Sequence, residues 1–157
     1  MRALFLLFIL GFLPLSPARA AERDVLAVIV PPDFFGKSLS VAELNLIFLR
    51  KKLYWPNGKR MRPANLPTQH ALRKKFSLRV LGNLPEAQTE YWSERYFHGT
   101  LPPHVVNSQE AMLRYVSDTA GAIGYVDACA VDTRVKAVAW IDENGTWLGY
   151  APVVSCD

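Results

Sequence analysis

Val25 to Val30 is an uninterrupted apolar run of mostly branched residues, closed by Pro31-Pro32. With no period-two alternation, a strand here has no face to offer to water, so it reads as buried on both sides, as in a sheet covered by helices. Helix signals follow at once. Ser40-Val41-Ala42-Glu43 is a capping box with Leu39 and Leu44 at the staple positions. The helix it opens places Val41, Leu44, Ile47 and Phe48 on one face and ends in Arg50-Lys51-Lys52, where cations suit the negative end of the dipole.

Tyr54-Trp55-Pro56-Asn57-Gly58 leads into a turn, and Pro63 and Pro67 keep the next stretch extended. Thr68 is predicted to cap a short helix in which Leu72 and Phe76 lie one turn apart. Leu78, Val80 and Leu81 read as a return to the sheet. A longer helix is predicted from Leu84 to His98, stopped by Gly99, and Asn107-Ser108-Gln109-Glu110 opens another that carries Met112, Leu113 and Val116. Ala122 to Val126 is a short buried strand. Beyond it, Val135 to Ile141 and Thr146 to Tyr150 can pair around a turn at Asp142 to Gly145. The fold class is α/β, a mixed sheet flanked by helices, with a small C-terminal β appendage.

At 157 residues, 50% hydrophobic and 20% charged, the chain suits one domain with a real core and lacks the polar bias of disorder. Residues 1–20 have the grammar of a cleavable signal peptide: Arg2, an apolar core from Ala3 to Leu13, and Ala18-Arg19-Ala20 as the cleavage site. Residues 21–157 are then the exported domain, expected in the periplasm, with no later run long enough to span a membrane. In an oxidising compartment Cys129 and Cys156 are expected to form a disulfide, the alternative being two free buried thiols.

Removing Arg2 and Arg19 with the leader halves the formal charge of +4. What remains is uneven. Arg50, Lys51, Lys52, Lys59, Arg60, Arg62, Arg73, Lys74, Lys75 and Arg79 follow one another with no Asp or Glu between them, while the rest of the chain is acidic. Such a window is a candidate basic face for an anionic partner, and equally a plain solvated surface.

Chemistry is otherwise sparse. His70, His98 and His104 do not have metal-ligand spacing with one another or with the cysteines, so neither metal nor cofactor is expected. No G-x-S-x-G elbow, Walker loop or H-E-x-x-H helix occurs, and Glu90 and Glu94, one helical turn apart, read as a solvated face. No catalytic residue is proposed. Anion binding has local support at the start of the helix near Thr68, where Gln69 and, a turn later, Arg73 could hold a small oxyanion; a capped helix in a basic surface is the alternative.

Several signatures occur in order: Leu46-Ile47-Phe48-Leu49, Trp55-Pro56-Asn57-Gly58 with Pro63 after it, Tyr91-Trp92 followed by Phe97-His98-Gly99, and Gly121-Ala122-Ile123-Gly124-Tyr125. Together, over roughly Val25 to Val126, they resemble the phosphate-binding-protein branch of the type II periplasmic binding proteins, the substrate-binding components of phosphate ABC transporters. The resemblance implies a single lobe of that fold, with Trp55 and Trp92 as core anchors. It also implies a small oxyanion such as phosphate as ligand, bound weakly or with a partner, and a transporter or envelope protein as that partner. No nucleic acid is expected. The chain departs from the family in having one lobe rather than two. Of the family's Ser-, Gly- and Thr-rich phosphate loop, only Thr68 remains in Ala64-Asn65-Leu66-Pro67-Thr68-Gln69-His70. The alternative function is an envelope interaction module of the same fold that meets an acidic partner with its basic segment.

Overall fold

The computed structural model describes residues 24–156; the leader read at residues 1–20 lies outside the described residues. β1 (Leu26–Val30) is buried along its whole length, as its unalternating sequence requires. It lies between β4 (Ala122–Asp127) and β5 (Lys136–Ile141), antiparallel to both. β2 (Arg62–Asn65) runs parallel to β4 on one side and to β3 (His104–Val105) on the other. With β6 (Trp147–Leu148) antiparallel to β5, the mixed sheet has the order β3-β2-β4-β1-β5-β6. The C-terminal β segment is continuous with this sheet, because β5 pairs directly with β1 through a bulge between Val28 and Ile29.

Adjacent residues of β4 show how both faces are covered. Successive side chains of a strand point to opposite faces. Gly124 lies under α4 (Gln109–Asp118), so close that a Cβ there would collide with Met112 Sδ. Tyr125, next along, stacks its ring on Phe76 of α2 (Ala71–Phe76), with centroids 3.9 Å apart and planes 3° from parallel. Phe48 of α1 (Val41–Phe48) packs against the same two rings at 4.5 Å and 5.9 Å. The Ser40/Glu43 capping box starts α1 as its sequence predicts.

Four local expectations change. Ser77–Leu81 does not return to the sheet; it continues α2 as a π-turn, held by Asn45 Nδ2–H donating to the Val80 carbonyl at 3.1 Å. His70, not Thr68, caps α2, its Nδ1 accepting from Leu72 N–H at 3.2 Å. The helix expected from Leu84 to His98 is a 3₁₀ turn at Pro85–Gln88 leading into α3 (Thr89–Phe97). Trp55 is a core residue at 5% exposure, but Trp92 is only half-buried, because α3 buries no residue fully and lies on the outside of the fold. Gly99 does end that helix, at φ 74°. Cys129 and Cys156 are joined as a disulfide, with Cα atoms 5.5 Å apart.

Candidate functional site

The connection from β2 to α2 is built around a buried tyrosine. A phenol inside a core needs a polar partner, and Tyr125 Oη has two: it accepts from Leu66 N–H at 3.2 Å and donates to Asn65 Oδ1 at 3.3 Å. Burial pushes its pKa up, against the pull of the Arg73 charge nearby, so the phenol stays protonated and pins the end of β2. The chain then turns at Pro67, whose carbonyl accepts from His70 N–H at 2.9 Å, and enters α2.

α2 turns Leu72, Arg73 and Phe76 inward. Two of these belong in a core by composition; Arg73 does not. It is 5% exposed; its Nη2–H reaches Gln88 Oε1 over a long 3.5 Å, and the guanidinium lies beside the Tyr125 phenol. Nε and Nη1 of Arg73, Nε2 of Gln88 and Oγ of Ser77 are all buried without a protein partner. Among the described residues no carboxylate pairs with Arg73. A guanidinium removed from water with open donors and no counter-charge is energetically expensive, and such a group calls for an ion or water to complete it.

Thr68 and Gln69 lie at the exposed rim of this connection, where Thr68 Oγ1–H donates to Gln69 Oε1 at 3.2 Å. No hydrogen bond joins either of them to Arg73 among the described residues. The side chains tied to Arg73 are therefore Gln88 and Tyr125, the latter bonded in turn to Asn65, and the sequence reading selected none of them. The available signal was Tyr125 itself: a tyrosine within the apolar run Ala122 to Val126 implies a polar pocket beside the strand.

The acid-free window does not stay acid-free when folded. Lys75 and Arg79 both reach Asp24, at 2.8 Å and 2.9 Å, Lys52 reaches Glu43 at 3.3 Å, and Lys74 approaches Glu86 at 3.9 Å. Burial opposes ionisation of Asp24, but the Lys75 ammonium and the Arg79 guanidinium outweigh it and hold the carboxyl below its ordinary range. Arg50, Lys51, Lys59, Arg60, Arg62 and Arg73 have no ion-pair partner among the described residues. Arg73 lies in the interior, whereas Arg50, Arg60 and Arg62 gather around the start of β2. Also among the described residues, no group of His, Cys, Asp or Glu is arranged to hold a metal, and no helix is long and apolar enough to cross a membrane.

Sheet order and helical layers define a class: one α/β lobe built on a mixed sheet, with its candidate ligand group where β2 runs into α2. Among solved structures the likeness is to phosphate transport proteins. A Clostridium perfringens protein described as a phosphate ABC transporter substrate-binding protein, with bound phosphate, superposes at TM-score 0.62 with 20% identity, covering 74% of this chain and 45% of its own. An ABC-type phosphate transport receptor from Vibrio cholerae gives 0.59 at 19% identity, covering 81% and 52%, and PstS from Borrelia burgdorferi 0.58 at 13%, covering 74% and 47%. The chain thus spans about half the length of these proteins. At this identity the likeness is one of fold. No protein-family model matches the sequence, and no curated protein matches it.

Proposed function

We propose that the chain is an exported single-lobe binding protein that takes a small oxyanion such as phosphate, weakly alone or more firmly with a partner or a second copy, and that it catalyses no reaction. The observation that carries this reading is Arg73, a cation 5% exposed with open Nε and Nη1 donors and no carboxylate. An anion at the guanidinium would satisfy those donors and offset the cost of burying the charge. The fold supports the same reading, since one solved structure that shares it carries bound phosphate. Thr68 and Gln69 are available at the rim. A lone lobe leaves its anion partly open to solvent, where water competes for each hydrogen bond; a transporter subunit, an envelope protein or a second copy would close that side. Export rests on the leader, and the mass of the protein recovered from a periplasmic fraction checks cleavage after Ala20.

The binding test is a melting curve of the mature protein with and without millimolar phosphate or sulfate. A ligand that binds only the folded state raises the melting temperature by mass action. The expected result is a rise in wild type that Arg73→Met abolishes. A rise of equal size in Arg73→Met, or no rise with either oxyanion, overturns the reading.

A further inference from the structure

At the opposite ends of β2 and β3, where those strands begin, a cleft of about 290 Å³ is lined by Arg50, Arg60, Arg62, His104 and Tyr115, with Leu101, Pro102, Pro103, Met61 and Pro63 as its apolar wall. No carboxylate lines it. The chain has placed three guanidinium groups around one depression and supplied no counter-charge.

Arg50 shows what holds this arrangement in place. It follows α1 at φ 57°, the single described non-glycine residue in the left-handed region, with Arg50 N–H donating to the Ile47 carbonyl and Lys51 N–H to the Leu46 carbonyl. Glycine normally fills that position because a side chain there costs roughly 1 to 2 kcal/mol. From it, Arg50 Nη1–H crosses to the Met61 carbonyl at 3.1 Å, while its own carbonyl accepts from Arg95 Nη2–H at 3.2 Å. Arg50 is thereby clamped at both ends and drawn over the start of β2. Its Nε is buried without a partner. Arg60 and Arg62 are exposed, and their guanidinium groups make no hydrogen bond or ion pair among the described residues. The floor is the His104 ring stacked on Tyr115, with centroids 5.0 Å apart. Burial weakens the hold of Arg50 on its proton, and the Arg60 charge beside it adds to the effect.

We infer that this cleft is a second anion site, which takes a phosphoryl group through the guanidinium forks of Arg60 and Arg62, with the clamped Arg50 adding fixed positive charge. Planar forks match tetrahedral phosphoryl oxygens two at a time, which an ammonium does not. At about 290 Å³ the cleft has room for a phosphoryl group with a substituent lying along Pro102 and Pro103. The bearer is either a soluble phosphate compound or the headgroup of an anionic phospholipid. The inference is independent of Arg73, which lies at the other end of β2.

Two probes separate the bearers: inorganic diphosphate, titrated calorimetrically at low salt, and vesicles of phosphatidylglycerol against phosphatidylcholine, assayed by flotation. The protein is the mature chain with its disulfide intact. The expected result is binding to at least one probe, weakened by added salt and reduced tenfold or more in Arg60→Gln/Arg62→Gln, as the loss of charged hydrogen bonds predicts. The variant Lys37→Gln/Arg114→Gln, which removes the same charge elsewhere, is expected to bind as wild type does. Binding of diphosphate alone assigns a soluble bearer, and binding of phosphatidylglycerol vesicles alone a lipid. Both arginines are exposed, so a melting curve checks that the variant is folded. The inference is overturned if neither probe binds, or if the two double variants lose binding equally.

Discussion

The indole Nε1–H of Trp55 donates to the carbonyl of Gly121 at 3.1 Å, joining residues 66 positions apart. The same carbonyl accepts from Arg62 N–H at 2.9 Å, so both of its lone pairs are used, one to start the β2 to β4 pairing and one to seat the indole. Phe34 then closes over Trp55 edge to face at 4.8 Å. Two of the sequence signatures, Trp55-Pro56-Asn57-Gly58 and Gly121-Ala122-Ile123-Gly124-Tyr125, thus meet at one oxygen.

This junction ranks two substitutions. Trp55→Phe loses the pyrrole half of a buried indole together with one hydrogen bond, to an oxygen that retains Arg62, which costs about 2 kcal/mol. Gly121→Ala costs more, about 3 kcal/mol, because Gly121 sits at φ 79° and a Cβ would strike the backbone carbonyl of Arg60. Urea midpoints of the two variants check the order; a milder Gly121→Ala would show that the turn relaxes without holding β2.

Gly124 makes a different case, since its φ is ordinary and only space forbids a side chain. A Cβ would collide with Met112 Sδ and sit 3.1 Å from Val116 Cγ2. Gly124→Ala is expected to cost about 1 to 3 kcal/mol by lifting α4 from the sheet. Met112→Ala in the same chain should recover part of that loss. A double-mutant cycle with no coupling between the two positions would contradict the packing described.

The Cys129–Cys156 bridge spans 27 positions and ties the chain beyond β6 to the end of β4. On the loop-entropy account such a closure contributes about 3 to 4 kcal/mol. Thermal unfolding with and without a reductant, and of Cys129→Ala/Cys156→Ala, should show matching losses. Indistinguishable curves would mean that the segment beyond β6 contributes little to the cooperative unit.

Long-range order was legible where a residue type allowed only one environment. The apolar run at Val25 to Val30 could only be a covered strand, and the capping box could only start a helix. Ser77–Leu81 misled because Leu78, Val80 and Leu81 are too few to separate strand from helix periodicity; what decides is Asn45, which holds the Val80 carbonyl from another element. Thr68 misled for a similar reason: threonine is the usual cap, yet the turn at Pro67 brings His70 Nδ1 to the free Leu72 N–H instead. The candidate site was half visible. Arg73 could be selected by its place after a turn, but its burial, and the pairing of Lys75 and Arg79 with Asp24, depend on contacts that counting charges along the chain does not see.

That pairing makes a pH prediction. Asp24 has its carboxyl held below the ordinary value of 3.8 in the folded chain, so the unfolded chain binds the proton more readily. Stability from this group is therefore fully present above about 3.8 and is lost as the pH falls from there through the lower folded value. The carboxylate is about one-third exposed, so solvent screens it and the contribution is about 1 kcal/mol. Asp24→Asn should be less stable than wild type by that amount at pH 7, and the two should converge as acid protonates Asp24. Urea midpoints at neutral pH and in the acid range measure this directly; because Asp24→Asn keeps the backbone carbonyl that accepts from Arg79 at 3.1 Å, a gap that stays constant across the range would show that the carboxylate charge is not what stabilises the fold.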